Sequence, residues 1–208
     1  MRRRRDRNKR TARSTISIIV DGKTEKWYLQ MMRDYERFET LKVEPELQSV
    51  GIERQFELLC EKAEMVDVVI WLLDADTLNK ELAEDKTGTM LNKWRSYLSK
   101  VKKIKNAYIL FNTPCLEYWF LLHLENTNRT YRQCAPVLDL LRKSEILSNY
   151  EKSERYYKNQ RMNIYERLKP NQSDAQKRSK QLGRFNLRNA NAAKAEIYKI
   201  FELLHDRK

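Results

Sequence analysis

Asp67-Val-Val-Ile-Trp-Leu-Leu-Asp-Ala-Asp76 (DVVIWLLDAD, 67–76) decides the fold. Its centre is an unbroken apolar run with no polar alternation, which a strand buried on both faces requires. It stops abruptly at two aspartates one residue apart. Working outward, the same pattern recurs twice. Thr15–Val20 (TISIIV) is β-branched and halts at Asp21-Gly22, and Ala107–Phe111 (AYILF) halts at Asn112-Thr113-Pro114. Leu41–Val50 predicts a further strand, which Pro45 would confine to an edge or a bulge. Between these runs, apolar residues return at helical spacing. Trp27, Tyr28, Met31, Met32, Tyr35 and Phe38 follow a Thr24 cap, and Ile52, Phe56, Leu59 and Ala63 form a second stripe. A longer helix is expected over 80–102, interrupted near Gly88, and a very apolar one over 115–124. Strands alternating with helices predict an α/β fold, a mostly parallel sheet flanked by helices. After about residue 130 strand signals cease, and helices are expected over 133–147, 150–169, 172–183 and 189–206.

Charge divides the 208 residues differently. Residues 1–13 hold seven arginines, one lysine and one aspartate, while residues 142–188 hold thirteen basic side chains against five acidic ones. The stretch between them is slightly acidic, and the whole chain carries +13. Two basic blocks beside an acid-balanced domain favour a phosphate polyanion through counterion release. Arg3, Arg4 and Arg5 belong to a run with no apolar partner, which predicts a disordered arm over 1–13 for an acidic partner. Lys158 and Arg161 lie where aromatic and basic residues interleave around Tyr156-Tyr157, a pattern suited to nucleic acid. Solvated helix faces are the plainer alternative for the second block. The expected organisation is the arm, an α/β domain over 14–130 and a basic helical extension over 131–208. No stretch approaches the roughly 20 apolar residues of a membrane span. Cys60, Cys115 and Cys134 have no metal-site spacing and are expected to be buried thiols in a reducing, cytoplasmic compartment.

The polar strand ends carry the chemistry. In an open parallel sheet, ligands bind beyond the carboxyl ends of the strands. Asp21, Asp74 and Asp76 gathered there would repel one another unless a hard cation joined them, and Mg²⁺ or Mn²⁺ suits such oxygens. Taken singly, each aspartate could be a turn or cap residue instead.

Three ordered motifs, IIVDGKTE (18–25), LLDADT (72–77) and NTPCLEYWFLLH (112–123), resemble the RloB-like family, related to AbiLii-type proteins of the Toprim-like nuclease group. The resemblance implies a Toprim-like fold and Mg²⁺-dependent phosphodiester cleavage in phage defence, with DNA or RNA (transfer RNA included) as substrate. It also implies an ABC- or AAA-type ATPase partner. The sequence contains no G-x-x-x-x-G-K-[ST] of its own. Position by position, Asp21 stands where the family has its first acidic residue, and Asp74 and Asp76 form the metal-holding pair. Gly22, Thr24 and Glu25 match the first motif; Asn112, Pro114, Glu117 and His123 match the third. Asp21 departs from the usual glutamate by one methylene, so Glu25, one turn on, is the alternative proton-transfer group. Lys23 is the first candidate cation, and Glu117 a further metal ligand or a brace. A buried acid paired with a basic residue is the alternative for Glu117, and a satisfied core residue the alternative for His123. Two other functions fit the same residues: a nucleic-acid-binding effector that does not cut, or a subunit docking its basic helices on an ATPase. The oligomeric state stays open.

Overall fold

β-Branched residues at 16–20 and 68–73 lose little by adopting extended backbone, and burying them on two faces fixes the centre of the sheet. The computed structural model describes residues 15–38, 41–43 and 50–205. In chain order the elements are β1 (Ile16–Val20), α1 (Lys23–Glu36), β2 (Leu41–Val43), α2 (Ile52–Ala63), β3 (Val68–Asp74), α3 (Ala75–Glu84), α4 (Thr89–Val101), β4 (Ala107–Thr113) and α5 (Glu117–Leu124). These are followed by α6 (Ala135–Lys143), α7 (Glu154–Tyr157), α8 (Ile164–Leu168), α9 (Gln172–Leu182), β5 (Lys194–Ala195) and α10 (Tyr198–His205). The sheet order is β2-β1-β3-β4-β5. The first four strands are parallel, and the two-residue β5 is antiparallel at the end of β4. The expected mixed α/β fold with a mostly parallel, helix-flanked sheet is therefore present.

Strand alternation splits the core in two. Ile18, Val20, Ile70, Leu72 and Leu110 face α1, α5 and the helices beyond residue 130. Ile19, Val69, Trp71, Leu73, Ile109 and Phe111 face α2, α3 and α4, where Trp71 and Trp94 stack with centroids 5.6 Å apart. Each fully buried side chain of this size contributes about 1.5–3 kcal/mol. The basic C-terminal part is fused to the first layer. Tyr165 packs on Tyr28, Phe201 on Trp119, and Trp119 Nε1 donates to the Tyr28 hydroxyl at 2.8 Å.

Several boundaries differ from expectation. The long helix over 80–102 is two helices, α3 starting five residues earlier. Between them Asp85 accepts from Thr87 and Met90 N–H groups, and Gly88 turns left-handed at φ 74°. The expected helix over 150–169 is two short ones. Asn163 and Glu166 form a reciprocal capping box that restarts the chain as α8. β5 replaces the start of the expected helix over 189–206. Cys115 and Cys134 are joined in a disulfide, contrary to the expected pair of free thiols, because the 125–134 turn sets the start of α6 against the start of α5. Cys60 is the free cysteine among the described residues. β2 is an edge strand, as Pro45 suggested, though residues 44–49, the arm over 1–13 and its Arg3, Arg4 and Arg5 lie outside the described residues.

Candidate metal centre

Parallel register brings the strand ends to one rim. Val20 pairs with Leu72, and Asp74 with Asn112, so the residues following β1, β3 and β4 converge. The first turn of α1 then swings Glu25 back over the rim, where it is 4% exposed. Thr24 Oγ1 donates to Glu25 Oε2 at 3.0 Å, and Asp74 lies within hydrogen-bonding reach of the same carboxyl group. Gly22 makes room for it. A Cβ there would overlap Glu25 Oε2 and stand 3.3 Å from its Cδ. Glu117, the first residue of α5, enters from the third side and is fully buried. Its Oε1 accepts from the Tyr150 hydroxyl at 2.7 Å and pairs with Lys152 Nζ at 2.9 Å. Behind Tyr150, the Tyr157 hydroxyl continues the hydrogen-bonded chain, and Cys134 Sγ of the disulfide lies 3.2 Å from Glu117 Oε2.

Electrostatics mark the cluster as short of positive charge. Burial pushes the Asp74 carboxyl well above the usual carboxylate range, and Glu25, Glu117 and Asp76 push it further. Burial likewise raises Glu25, with Glu117 adding to it. Burial draws the Lys152 ammonium down, but the Glu117 carboxylate, then Asp74 and Glu25, more than offset this, so Lys152 ends raised. Asp74 Oδ1, both amide atoms of Asn112 and Thr113 Oγ1 are buried without a hydrogen-bond partner. Unsatisfied polar atoms cost about 1–3 kcal/mol each, so several on one rim need an explanation. Among the described residues the carboxylate oxygens of Glu25, Asp74 and Glu117 do not all lie within 4.8 Å of one another, so a hard divalent cation would have to draw the side chains in, with Asp74, Asp76 and Glu117 as the residues to hold it.

The structure brings together Glu25, Asp74 and Glu117, with Asp76 close enough to perturb Asp74. Asp76 Oδ1 accepts from Thr77 N–H, and its own N–H donates to the carbonyl of Pro114, locking β3's end to the turn after β4. Asp21 is turned the other way. Its Oδ1 accepts from Gln55 Nε2 at 3.0 Å, and Gln55 in turn accepts from Trp71 Nε1 at 2.8 Å. Lys23 is exposed and lies toward Glu154, so Lys152 is the cation set against Glu117. Lys158 is engaged with Glu154 at 2.7 Å, and Arg161 is exposed. Lys152 and Tyr150 escaped sequence reasoning, and Tyr157, read there as part of a nucleic-acid surface, instead backs Tyr150 behind Glu117. The one signal for Lys152 and Tyr150 was a lysine between tyrosines in a basic block.

His123 sits away from the carboxylates, edge-on to Trp119 and buried under α9. Its Nδ1 is the N–H that donates to Trp119 C=O at 2.9 Å, leaving Nε2 without a partner. Burial pushes its pKa down to about 3, and Arg178 adds to the depression. A histidine held neutral costs stability as pH falls below its unfolded value near 6.5, until the folded value is reached. His123→Phe is therefore expected to gain about 2 kcal/mol on the native protein between pH 7.5 and pH 5, in paired urea melts. Parallel pH profiles for the two proteins would refute a buried neutral ring.

No helix among the described residues is long and apolar enough to cross a membrane. No curated protein and no solved structure matches the chain. The model of one family, described as RloB-like protein, matches residues 16–204, which takes in every strand, every helix but the last residue of α10, and the whole carboxylate rim. The chain belongs to the RloB-like family.

Proposed function

We propose that this protein is a Toprim-like, Mg²⁺- or Mn²⁺-dependent nuclease that cleaves nucleic acid phosphodiesters in phage defence. The observation that carries the proposal is the grouping of buried Glu25 and Glu117 with half-buried Asp74, whose Oδ1 is itself buried and left unpaired. A divalent ion, when bound, supplies Lewis acidity toward a phosphate oxygen. The chain's own groups do the rest. Glu25, steadied by Thr24 and raised by burial, is the carboxyl poised to take or give a proton. Lys152 offsets charge on the Glu117 side, and Tyr150 and Tyr157 keep Glu117 in place. Basic side chains over 142–188 would gather the polyanion near the rim. The same reading includes an ABC- or AAA-type ATPase partner, which the family resemblance implies and which would supply the P-loop that this sequence lacks.

A second reading, binding without cutting, is favoured by one observation: Asp21 replaces the family's glutamate and is held by Gln55. The test is incubation of the purified chain with plasmid DNA and total transfer RNA, with and without Mg²⁺ or Mn²⁺, beside Asp74→Ala/Asp76→Ala. Metal-dependent cutting that disappears in the variant is expected, and the polymer consumed identifies the substrate. Metal-independent retention of nucleic acid, equal in both proteins and without cleavage, would support the binding subunit instead.

A further inference from the structure

The outer edge of β4 is closed at one end only. Parallel pairing, in which Val69 N–H donates to Asn106 C=O, turns the backbone groups of residues 108, 110 and 112 toward β3. Those of residues 107, 109 and 111 face outward. At residue 111 both outward groups are used: Phe111 N–H donates to Glu196 Oε2 at 2.9 Å, and Phe111 C=O accepts from Glu196 N–H at 3.0 Å. Ala107 N–H closes a local turn onto Ile104 C=O. β5 reaches only Asn112 and Thr113, so among the described residues the N–H and C=O of Ile109 face no strand. An open edge of this kind is a template for another chain.

Beside this edge lies a cavity of about 1050 Å³, walled by α4 on one side and residues 184–188 on the other. Its lining includes the apolar Leu98, Ile109, Phe185 and Leu187, and Phe185 stacks on Phe111 at 3.9 Å. Arg95, Lys102, Lys105 and Arg188 also line it, are exposed, and have no ion-pair partner among the described residues. The one acid on the wall, Glu196, is buried and already paired with Arg184 at 2.6 Å.

We infer that this edge receives an extended acidic segment of a partner protein, which adds to the sheet as a strand alongside Ala107–Leu110. Its backbone would satisfy Ile109, its apolar side chains would enter the cavity, and its carboxylates would meet the four unpaired cations. Charge decides the occupant. A second copy of this edge would set like charges against each other, and a nucleic acid would meet the cations but leave the Ile109 backbone groups and the apolar lining unused. The inference stands apart from the metal centre, which lies at the strand ends, and is tested without any cleavage assay.

The experiment measures binding of a fluorescent nonapeptide alternating glutamate and valine to the full-length protein, together with amide exchange at Ile109. Peptide is expected to slow Ile109 exchange at least about tenfold, and Arg95→Glu/Lys102→Glu/Lys105→Glu/Arg188→Glu to weaken binding at least about tenfold. The double variant Lys102→Glu/Lys105→Glu, with two exposed substitutions, should show a smaller loss in the same direction and secures the result if the quadruple variant melts early. Equal binding to the charge-reversed proteins, or unchanged exchange at Ile109 in the complex, would overturn the inference. So would displacement of the peptide by a single-stranded oligonucleotide that itself leaves Ile109 exchange unaltered.

Discussion

Asp74→Asn is expected to make the metal-free protein more stable at neutral pH while lowering metal-dependent cleavage about a thousandfold. The two effects share a cause. Asp74 is pushed up first by burial and then by Glu25, Glu117 and Asp76, so in the absence of a cation the fold pays to keep it there. Its folded pKa lies above its unfolded one, so the native state holds a proton that the unfolded chain releases. That penalty is absent below the unfolded value near pH 4, grows as pH rises toward the raised folded value, and is constant above it. An amide of the same shape removes the charge. The expected gain at pH 7 is about 1–2 kcal/mol, or roughly 3–6 °C in melting temperature for a chain of this size. The advantage should vanish near pH 4.

Added Mg²⁺ should reverse the ranking. A ligand at a hundred times its Kd stabilises the native protein by about 2.7 kcal/mol, and the asparagine variant should gain far less. Thermal melts at pH 4, pH 7 and pH 7 with Mg²⁺ contain the whole test. Destabilisation of Asp74→Asn at pH 7 together with an unchanged Mg²⁺ response would mean that Asp74 is a structural residue, and the metal centre would fail with it.

The sequence made the scaffold of this site legible and left its electrostatic partners hidden, for identifiable reasons. β1, β3 and β4 announced themselves because strands buried on both faces must be continuously apolar, and 68–73 and 107–111 are. Once those strands are parallel neighbours, Asp74 falls opposite Asn112 by register, with no further information needed. The break between α7 and α8 is also written in the chain, as Asn163 followed three residues later by Glu166, although helical spacing runs across it. Lys152 and Tyr150 are different. They reach Glu117 from 35 and 33 residues away, after an irregular path set by the packing of α6 and α7 on α5 and α1. No local spacing encodes that approach. The same holds for the Cys115–Cys134 disulfide and for β5, whose two residues are held by Phe111, Glu196 and Ser179 and not by any strand pattern of their own. On the sequence Asp21 is the first candidate and Glu25, one turn on, its alternative. What separates them is Gln55, a third residue on another helix, which holds Asp21 away from the rim.

Gly22→Ala isolates Glu25 with a single methyl group. The backbone at Gly22, φ −130° and ψ 166°, is open to any L residue, so the substitution costs nothing in conformation and reduces the freedom of the unfolded chain. The new Cβ meets one thing, the Glu25 carboxylate, with Oε2 overlapped and Cδ at 3.3 Å. A terminal carboxylate can rotate aside cheaply, so the melting temperature should hold within about 1–2 °C. The displaced oxygen leaves Asp74 and Thr24, however, and a shift near 1 Å at a reacting group costs on the order of a hundredfold in rate. The expected result is therefore a well-folded protein with cleavage down about a hundredfold. A double-mutant cycle makes the cause visible. Glu25→Asp withdraws the carboxylate from the space the methyl needs, so Gly22→Ala should do little further harm in that background. Full additivity of the two losses would show that Gly22 acts elsewhere. Wild-type cleavage in Gly22→Ala would remove Glu25 from the chemistry and return the role to Asp21.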